Sequence, residues 1–271
     1  MRDVYFKILQ RQNRFRNTKH LTTIPQDFCF NQSEFDLASR YLEGLSARQI
    51  KYCYPGHEDY PLAFYKIKEP PLFIEYRGEA WWKTTSFLSI VGSRDISPLT
   101  EALLKRMLPH VLLDLNIGVV SGGAIGVDQL AHHICLKQDK PTIFVLPSGL
   151  EALYPQSLNH FFSQDYIGKC CFLTEFESDQ KIHKSFFFHR NRLIAALGEM
   201  TLVAQASLKS GSLLTVHHSL ECGKPVLTFP CHPEVLGFEG NLQLIREGAY
   251  VVTQKSDLLD FWMAENWSSL R

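Results

Sequence analysis

From Phe87 to Pro230 the chain alternates short, nearly all-apolar runs with longer stretches in which apolar residues recur every three or four positions. The runs FLSIV, NIGVVS, TIFVLP, CFLTEF, MTLVAQA and PVLTFP predict strands. Between them, LTEALLKRMLPHVLLDL predicts a helix with Leu99, Leu103 and Met107 on one face and a kink at Pro109. Val127, Leu130, Ala131 and Ile134 line a second helix, RNRLIAALG forms a third that stops at Gly198, and GSLLTVHHSLECG forms a fourth. Strands this poor in polar residues need cover on both faces, which predicts an α/β fold with a doubly wound, mostly parallel, Rossmann-like sheet. In such a sheet a ligand sits at the carboxyl ends of the strands.

The N-terminal part reads differently. Residues 33–50 are expected to be helical, with Ser33 as cap, and PPLFIEYRGE supplies a strand over residues 72–76. The segment CYPGHEDYPLAF, with two prolines and a glycine, marks a boundary. Three parts result: a basic arm with a short helical segment (1–52), the sheet domain (53–255) and an apolar C-terminal helix (256–271). The first twenty residues carry Arg2, Lys7, Arg11, Arg14, Arg16 and Lys19 against Asp3 alone, and read as a solvated or frayed arm, the alternative being an auxiliary nucleic-acid contact. At the other end Leu258, Leu259, Phe261, Trp262 and Met263 are too hydrophobic to stay solvated, so they cover the chain's own sheet or an interface between copies.

Composition narrows the function. Lys plus Arg and Asp plus Glu both number 28, so any anion site must come from local clustering. The seven cysteines form no C-x-x-C pair, which reads as a reduced, cytoplasmic protein. No apolar run approaches the roughly 20 residues of a membrane span. His132-His133, His217-His218 and Cys231-His232 lack metal-ligand spacing. No nucleophile elbow, P-loop or paired carboxylates stand out, so no catalytic residue, metal or cofactor is expected.

Four strand ends carry the chemistry. They are Gly92-Ser93-Arg94; Ser121-Gly122-Gly123-Ala124, followed by Gly126 and Asp128; FFFHRNR over residues 186–192; and Lys209-Ser210-Gly211-Ser212. Small residues there let backbone N–H groups approach a ligand, above all at Ser93 and residues 210–212. Arg94, Arg190, Arg192 and Lys209 gather positive charge. Arg190 and Arg192 lie two apart, so on a helix they diverge, and one of them is expected to face solvent. Asp128, in the first turn of its helix, reads as a favourable partner of the helix dipole. The Gly122-Gly123 turn is therefore expected to take a sugar or base edge. Phe186, Phe187 and Phe188 read as core, the alternative being a platform on which bases stack.

In this order, VGSR, SGGAIGVD, GLEALYP, FHRNRLIAAL, LKSGSLLT and GNLQLIREGA resemble the DNA-processing protein A (Smf) family over roughly three quarters of the chain. Departures are Phe187-Phe188-His189 where Phe-Pro is usual, Gln205 where a glutamate is usual, and Ser-Gly-Gly at the glycine turn. The C-terminal winged-helix module of many members is not expected within this length. The resemblance implies an extended Rossmann fold and a non-enzymatic homodimer. It also implies binding of single-stranded DNA during natural transformation and loading of a RecA-type recombinase. The nucleic-acid-binding residues it implies are Gly92, Ser93, Arg94, Ser121, Gly122, Gly123, Arg190, Asn191, Arg192, Lys209, Ser210, Gly211, Ser212 and Asn241, with Arg94 on a phosphate. The alternative is a small-nucleotide enzyme or sensor, related to phosphoribohydrolases marked by P-G-G-x-G-T-x-x-E. Residues 209–215 lack the glutamate of that mark.

Overall fold

The computed structural model describes residues 1–12, 30–162, 166 and 168–268. Nine strands form one sheet in the order β1-β2-β6-β5-β4-β3-β7-β8-β9. Their ranges are β1 (Lys51–Cys53), β2 (Ile74–Arg77), β3 (Phe87–Gly92), β4 (Gly118–Ser121), β5 (Thr142–Val145), β6 (Cys170–Thr174), β7 (Met200–Gln205), β8 (Val226–Thr228) and β9 (Tyr250–Val251). From β6 to β9 every pairing is parallel, whereas β1 and β2 add to one edge antiparallel. The sheet is thus α/β and doubly wound, as the apolar runs predict.

Alternation along β3 shows why both faces are covered. Phe87 and Val91 join the core under α5 (Lys184–Leu197) and α6 (Ser212–Glu221). Leu88 and Ile90 join the opposite core, under α3 (Pro98–Leu115), α4 (Val127–Lys137) and α8 (Lys255–Ser268). Each buried Leu or Phe is worth roughly 1.5–3 kcal/mol. Strand β3 feeds α3 on one face and β7 feeds α6 on the other. The chain therefore diverges at the carboxyl ends of these adjacent strands and leaves a crevice between their loops.

Several local expectations need correction. Helix α3 is capped by Ser97, carries Pro98 in its first turn and continues through Pro109. Its buried stripe is Leu104, Met107, Leu108, Val111 and Leu112, while Leu99 is 69% exposed. Leu99 precedes Leu104 by five positions and so lies well off that stripe. Helix α2 (Gln32–Ala47) is capped by Asn31, not Ser33, through a capping box with Glu34. Helix α5 starts at Lys184, six residues before the expected RNR start.

The N-terminal arm is not solvated over its first twelve residues. Helix α1 (Arg2–Gln12) buries Val4, Tyr5, Phe6, Ile8 and Leu9 against α2 and the β1–β2 edge. Lys7 is wholly buried. Its Nζ lies 3.1 Å from Glu75 Oε1, donates to Gln10 Oε1 at 2.8 Å and stands 3.9 Å from the centre of the Tyr41 ring. Arg11 pairs with Glu177 at 2.6 Å. A charged helix docks because its cations meet carboxylates on the sheet edge. Arg14, Arg16 and Lys19 lie outside the described residues. Strand β1 straddles the expected 52/53 boundary. At the C-terminus, Leu258 and Trp262 are buried in the core beneath α3 and α4, and Phe261 packs on Tyr250 with ring centres 4.3 Å apart. Among the described residues no helix is long and apolar enough to cross a membrane.

Candidate nucleic-acid interface

The crevice between the β3 and β7 loops has a volume of about 290 Å³. Ser93 and Arg94 form one wall, residues 210–212 and Thr215 the other, and Phe187, Arg190, Asn191 and Ile194 the floor. The floor residues lie at i, i+3, i+4 and i+7 on α5, one face of a helix. That periodicity settles the arginine pair. Arg190 faces the crevice and Arg192 does not. Arg192 donates to both carboxylate oxygens of Glu175, at 2.5 and 2.6 Å, and to the Glu69 carbonyl at 3.0 Å. It lines a separate flank groove with Lys66, Lys68, His217 and His218.

Arg94 is exposed, and its guanidinium lies over the Phe187 ring at 5.5 Å from the centroid. This is within cation–π range. Among the described residues no carboxylate comes within ion-pair distance of it; Glu175 pairs with Arg192, and Asp128 accepts from the Gly122 and Ala124 amides. Tyr154 meets the same phenylalanine edge-on at 6.2 Å. With Ile125 and Pro155 it extends the crevice into an apolar annexe. None of Phe186, Phe187 and Phe188 is buried, contrary to the core reading. Phe186 stacks on Phe176 at 4.1 Å, and Phe188 is 45% exposed. The reason is that α5 begins before them and lifts its first turn to the rim.

Arg190 is buried beneath Arg94. Its Nη1 donates to the Val145 carbonyl at 2.6 Å, while its Nε has no partner among the described residues. Burial pulls its pKa down to about 10, with Asp128 opposing the fall and Arg94 adding to it. It therefore carries its charge at neutral pH. Gly122 leaves room for this side chain: an added Cβ would stand 1.7 Å from the Arg190 guanidinium and displace it.

Asp128 does more than meet a helix dipole. It is buried, and its Oδ2 accepts from the Gly122 and Ala124 amides at 3.2 and 3.3 Å. Burial raises its pKa, with Arg190 and these amides pulling the other way. The glycine turn thus spends donors internally and shapes the crevice wall. Ser121, fully buried, donates to the Ile90 carbonyl. Gly123, at φ +69°, packs beside Leu158 and Phe144.

The other candidates divide. The Ser93 amide, expected to face a ligand, donates to the Gln205 carbonyl at 2.8 Å. The Ser212 amide donates to Ser210 Oγ at 3.3 Å, and Ser212 Oγ donates to the Gly92 carbonyl at 3.0 Å, joining the two walls. Gly211 precedes α6 without a side-chain cap and faces open space, and its carbonyl accepts from Asn191 at 3.3 Å. The positive end of α6 thus faces the crevice. Lys209 is exposed on the same loop. Asn241 is elsewhere: fully buried in α7 (Glu239–Arg246), it accepts from the Ala206 amide at 2.7 Å and donates to Thr228 Oγ1 at 2.8 Å. It braces the loop after β7 from behind. Asp128 and Phe187, read from the sequence as a helix-dipole partner and as core, also line the crevice. Starting α5 at Lys184 puts Phe187 on the Arg190 face. Among the described residues no three His, Cys, Asp or Glu side chains are grouped to hold a metal.

Comparisons with known proteins agree with this architecture. Protein Smf of Synechocystis is 31% identical over 81% of this chain and 56% of its own length. The DNA processing protein DprA of Streptococcus pneumoniae is 32% identical over 74% of this chain and 70% of its own. The chain spans little more than half the length of several curated relatives it matches. Its fold superposes on the X-ray structure of DNA processing protein A from S. pneumoniae with TM-score 0.74, 27% identity, and coverage of 96% of this chain and 93% of that one. It also superposes on a Helicobacter pylori DNA processing protein A, described for its single-stranded DNA binding mode, with TM-score 0.71, 26% identity, and coverage of 80% and 97%. The sequence model of DNA recombination-mediator protein A matches residues 51–263, and the chain belongs to that family.

Proposed function

We propose that the crevice binds single-stranded DNA through its phosphates. The observation that carries this reading is Arg94, an exposed guanidinium without a carboxylate partner among the described residues, held at the topological switch point of the sheet. Buried Arg190 and the positive end of α6 add to the local potential, and Lys209 extends it along the rim. The aromatic faces beside Arg94 suit an unpaired base. Phosphate contacts of this kind carry affinity and little sequence information. The single-stranded DNA binding mode of the H. pylori protein supports the assignment. The wider role follows the family: a non-enzymatic, cytoplasmic homodimer that shields incoming single strands during natural transformation and helps load a RecA-type recombinase.

Replacing Arg94 tests the reading. Arg94→Ala removes one charge-assisted contact, worth about 1.5–3 kcal/mol, or roughly ten- to a hundredfold in affinity for oligo-dT. The slope of log K against log salt becomes shallower by about 0.7. The melting temperature stays put, because the side chain is exposed. An unchanged salt slope rejects Arg94 as a phosphate contact.

A further inference from the structure

We infer that Gln205 is the positioning residue of this crevice: it fixes the backbone on both sides of Arg94 and so sets where the guanidinium stands. The inference rests on the phosphate reading of the crevice. Gln205 ends β7 opposite Gly92, past a register shift at which Ala204 is the extra residue of β7, and is 5% exposed. Its carbonyl accepts the Ser93 amide at 2.8 Å. Its Oε1 accepts the Ser97 amide at 2.8 Å, and its Nε2 makes a longer contact of 3.4 Å to the Asp95 carbonyl. One residue therefore binds the position before Arg94, the position after it, and the cap of α3. The opposite side of the loop is closed. The Ser93 carbonyl accepts from the Val127 amide at 3.1 Å, and a Cβ at Gly126 would lie 2.4 Å from the Ser93 oxygen and 2.6 Å from the Arg94 oxygen. The loop is clamped between β7 and the start of α4, while the Arg94 side chain remains open to an anion.

What the clamp needs at this place is an acceptor for the Ser97 amide, which the glutamate usual at this position would also supply. An apolar side chain would leave the Ser97 amide without its partner.

A double-mutant cycle on the full chain tests the inference. Gln205→Met keeps length and volume, leaves the backbone bond to Ser93 intact and removes both side-chain contacts. It is expected to weaken oligo-dT binding about tenfold, the order lost with a hydrogen bond. In the Arg94→Ala background it should cost less than about twofold, because it acts through Arg94. Equal losses in both backgrounds, or wild-type binding by Gln205→Met, would overturn the inference. Should Gln205→Met melt far below the wild type, Gln205→Glu keeps the shape and the acceptor for the Ser97 amide. It is then expected to bind oligo-dT within about twofold of the wild type, and a loss of about tenfold overturns the inference. If Arg94→Ala alone leaves affinity unchanged, the phosphate reading fails first and the inference falls with it.

Discussion

The two arginines of the RNR segment show how far a pair of identical side chains can diverge over two positions. Arg190 points into the crevice and spends one donor on the Val145 carbonyl, whereas Arg192 is locked to Glu175 on the flank. Both side chains of the second pair are mostly buried, at 11% and 16% exposure. Removing one partner strands the other charge, which costs about 3 kcal/mol. Arg192→Ala is therefore expected to lower the urea midpoint clearly while leaving the salt slope of oligo-dT binding at its wild-type value. Unfolding and binding titrations on the same variant check both halves. A shallower salt slope for Arg192→Ala would return that residue to the interface.

At the scale of elements, α1 shows how a basic segment becomes core. Its docking depends on Glu177, which accepts from Arg11 and faces Lys7 at 3.3 Å. Burial alone would raise the Glu177 pKa, but Arg11 and Lys7 outweigh it and hold the carboxyl below its ordinary 4.5. A carboxylate with a depressed folded-state pKa contributes stability above its unfolded value and loses it as pH falls through the folded one. Thermal stability should thus decline below about pH 4.5, and Glu177→Gln should remove part of that decline. Melting curves from pH 6 to pH 3 on both proteins test this; parallel profiles would show that Glu177 does not anchor α1 through its charge.

At the scale of the whole molecule, the doubly wound sheet places charge and aromatic faces at one end of two adjacent strands. An unpaired strand can lay both phosphate and base against such a crevice, whereas a duplex hides its bases. Competition between oligo-dT and a duplex of equal length is expected to favour the single strand; tighter duplex binding counts against the assignment. The C-terminal helix spends Leu258 and Trp262 on its own core, and among its described apolar side chains Met263, 59% exposed, is left for any contact between copies. The proposed homodimer must then use other surfaces as well. Sedimentation at micromolar concentration without DNA tests it, and a monomer there would remove the dimer from the proposal.

The sequence by itself determined the sheet and the order of its loops, because strands buried on both faces must be apolar throughout and their helices must repeat every three to four residues. It also marked Arg94, since a cation directly after a strand and before a capped helix has few places to go. Tertiary structure decided the rest. Whether the basic N-terminal segment is solvent or core depended on Glu75 and Glu177, distant in sequence. Asn241 and Arg192 look like ligand residues in the chain and are braces in the fold, because their partners, the Ala206 amide and Glu175, are set by strand neighbours. Asp128 and Gln205 are ordinary polar residues until the sheet brings the glycine turn and the Arg94 loop within hydrogen-bonding reach of them. Local pattern encodes which faces are buried; which polar groups meet across the crevice is a consequence of strand order, and that no local pattern carries.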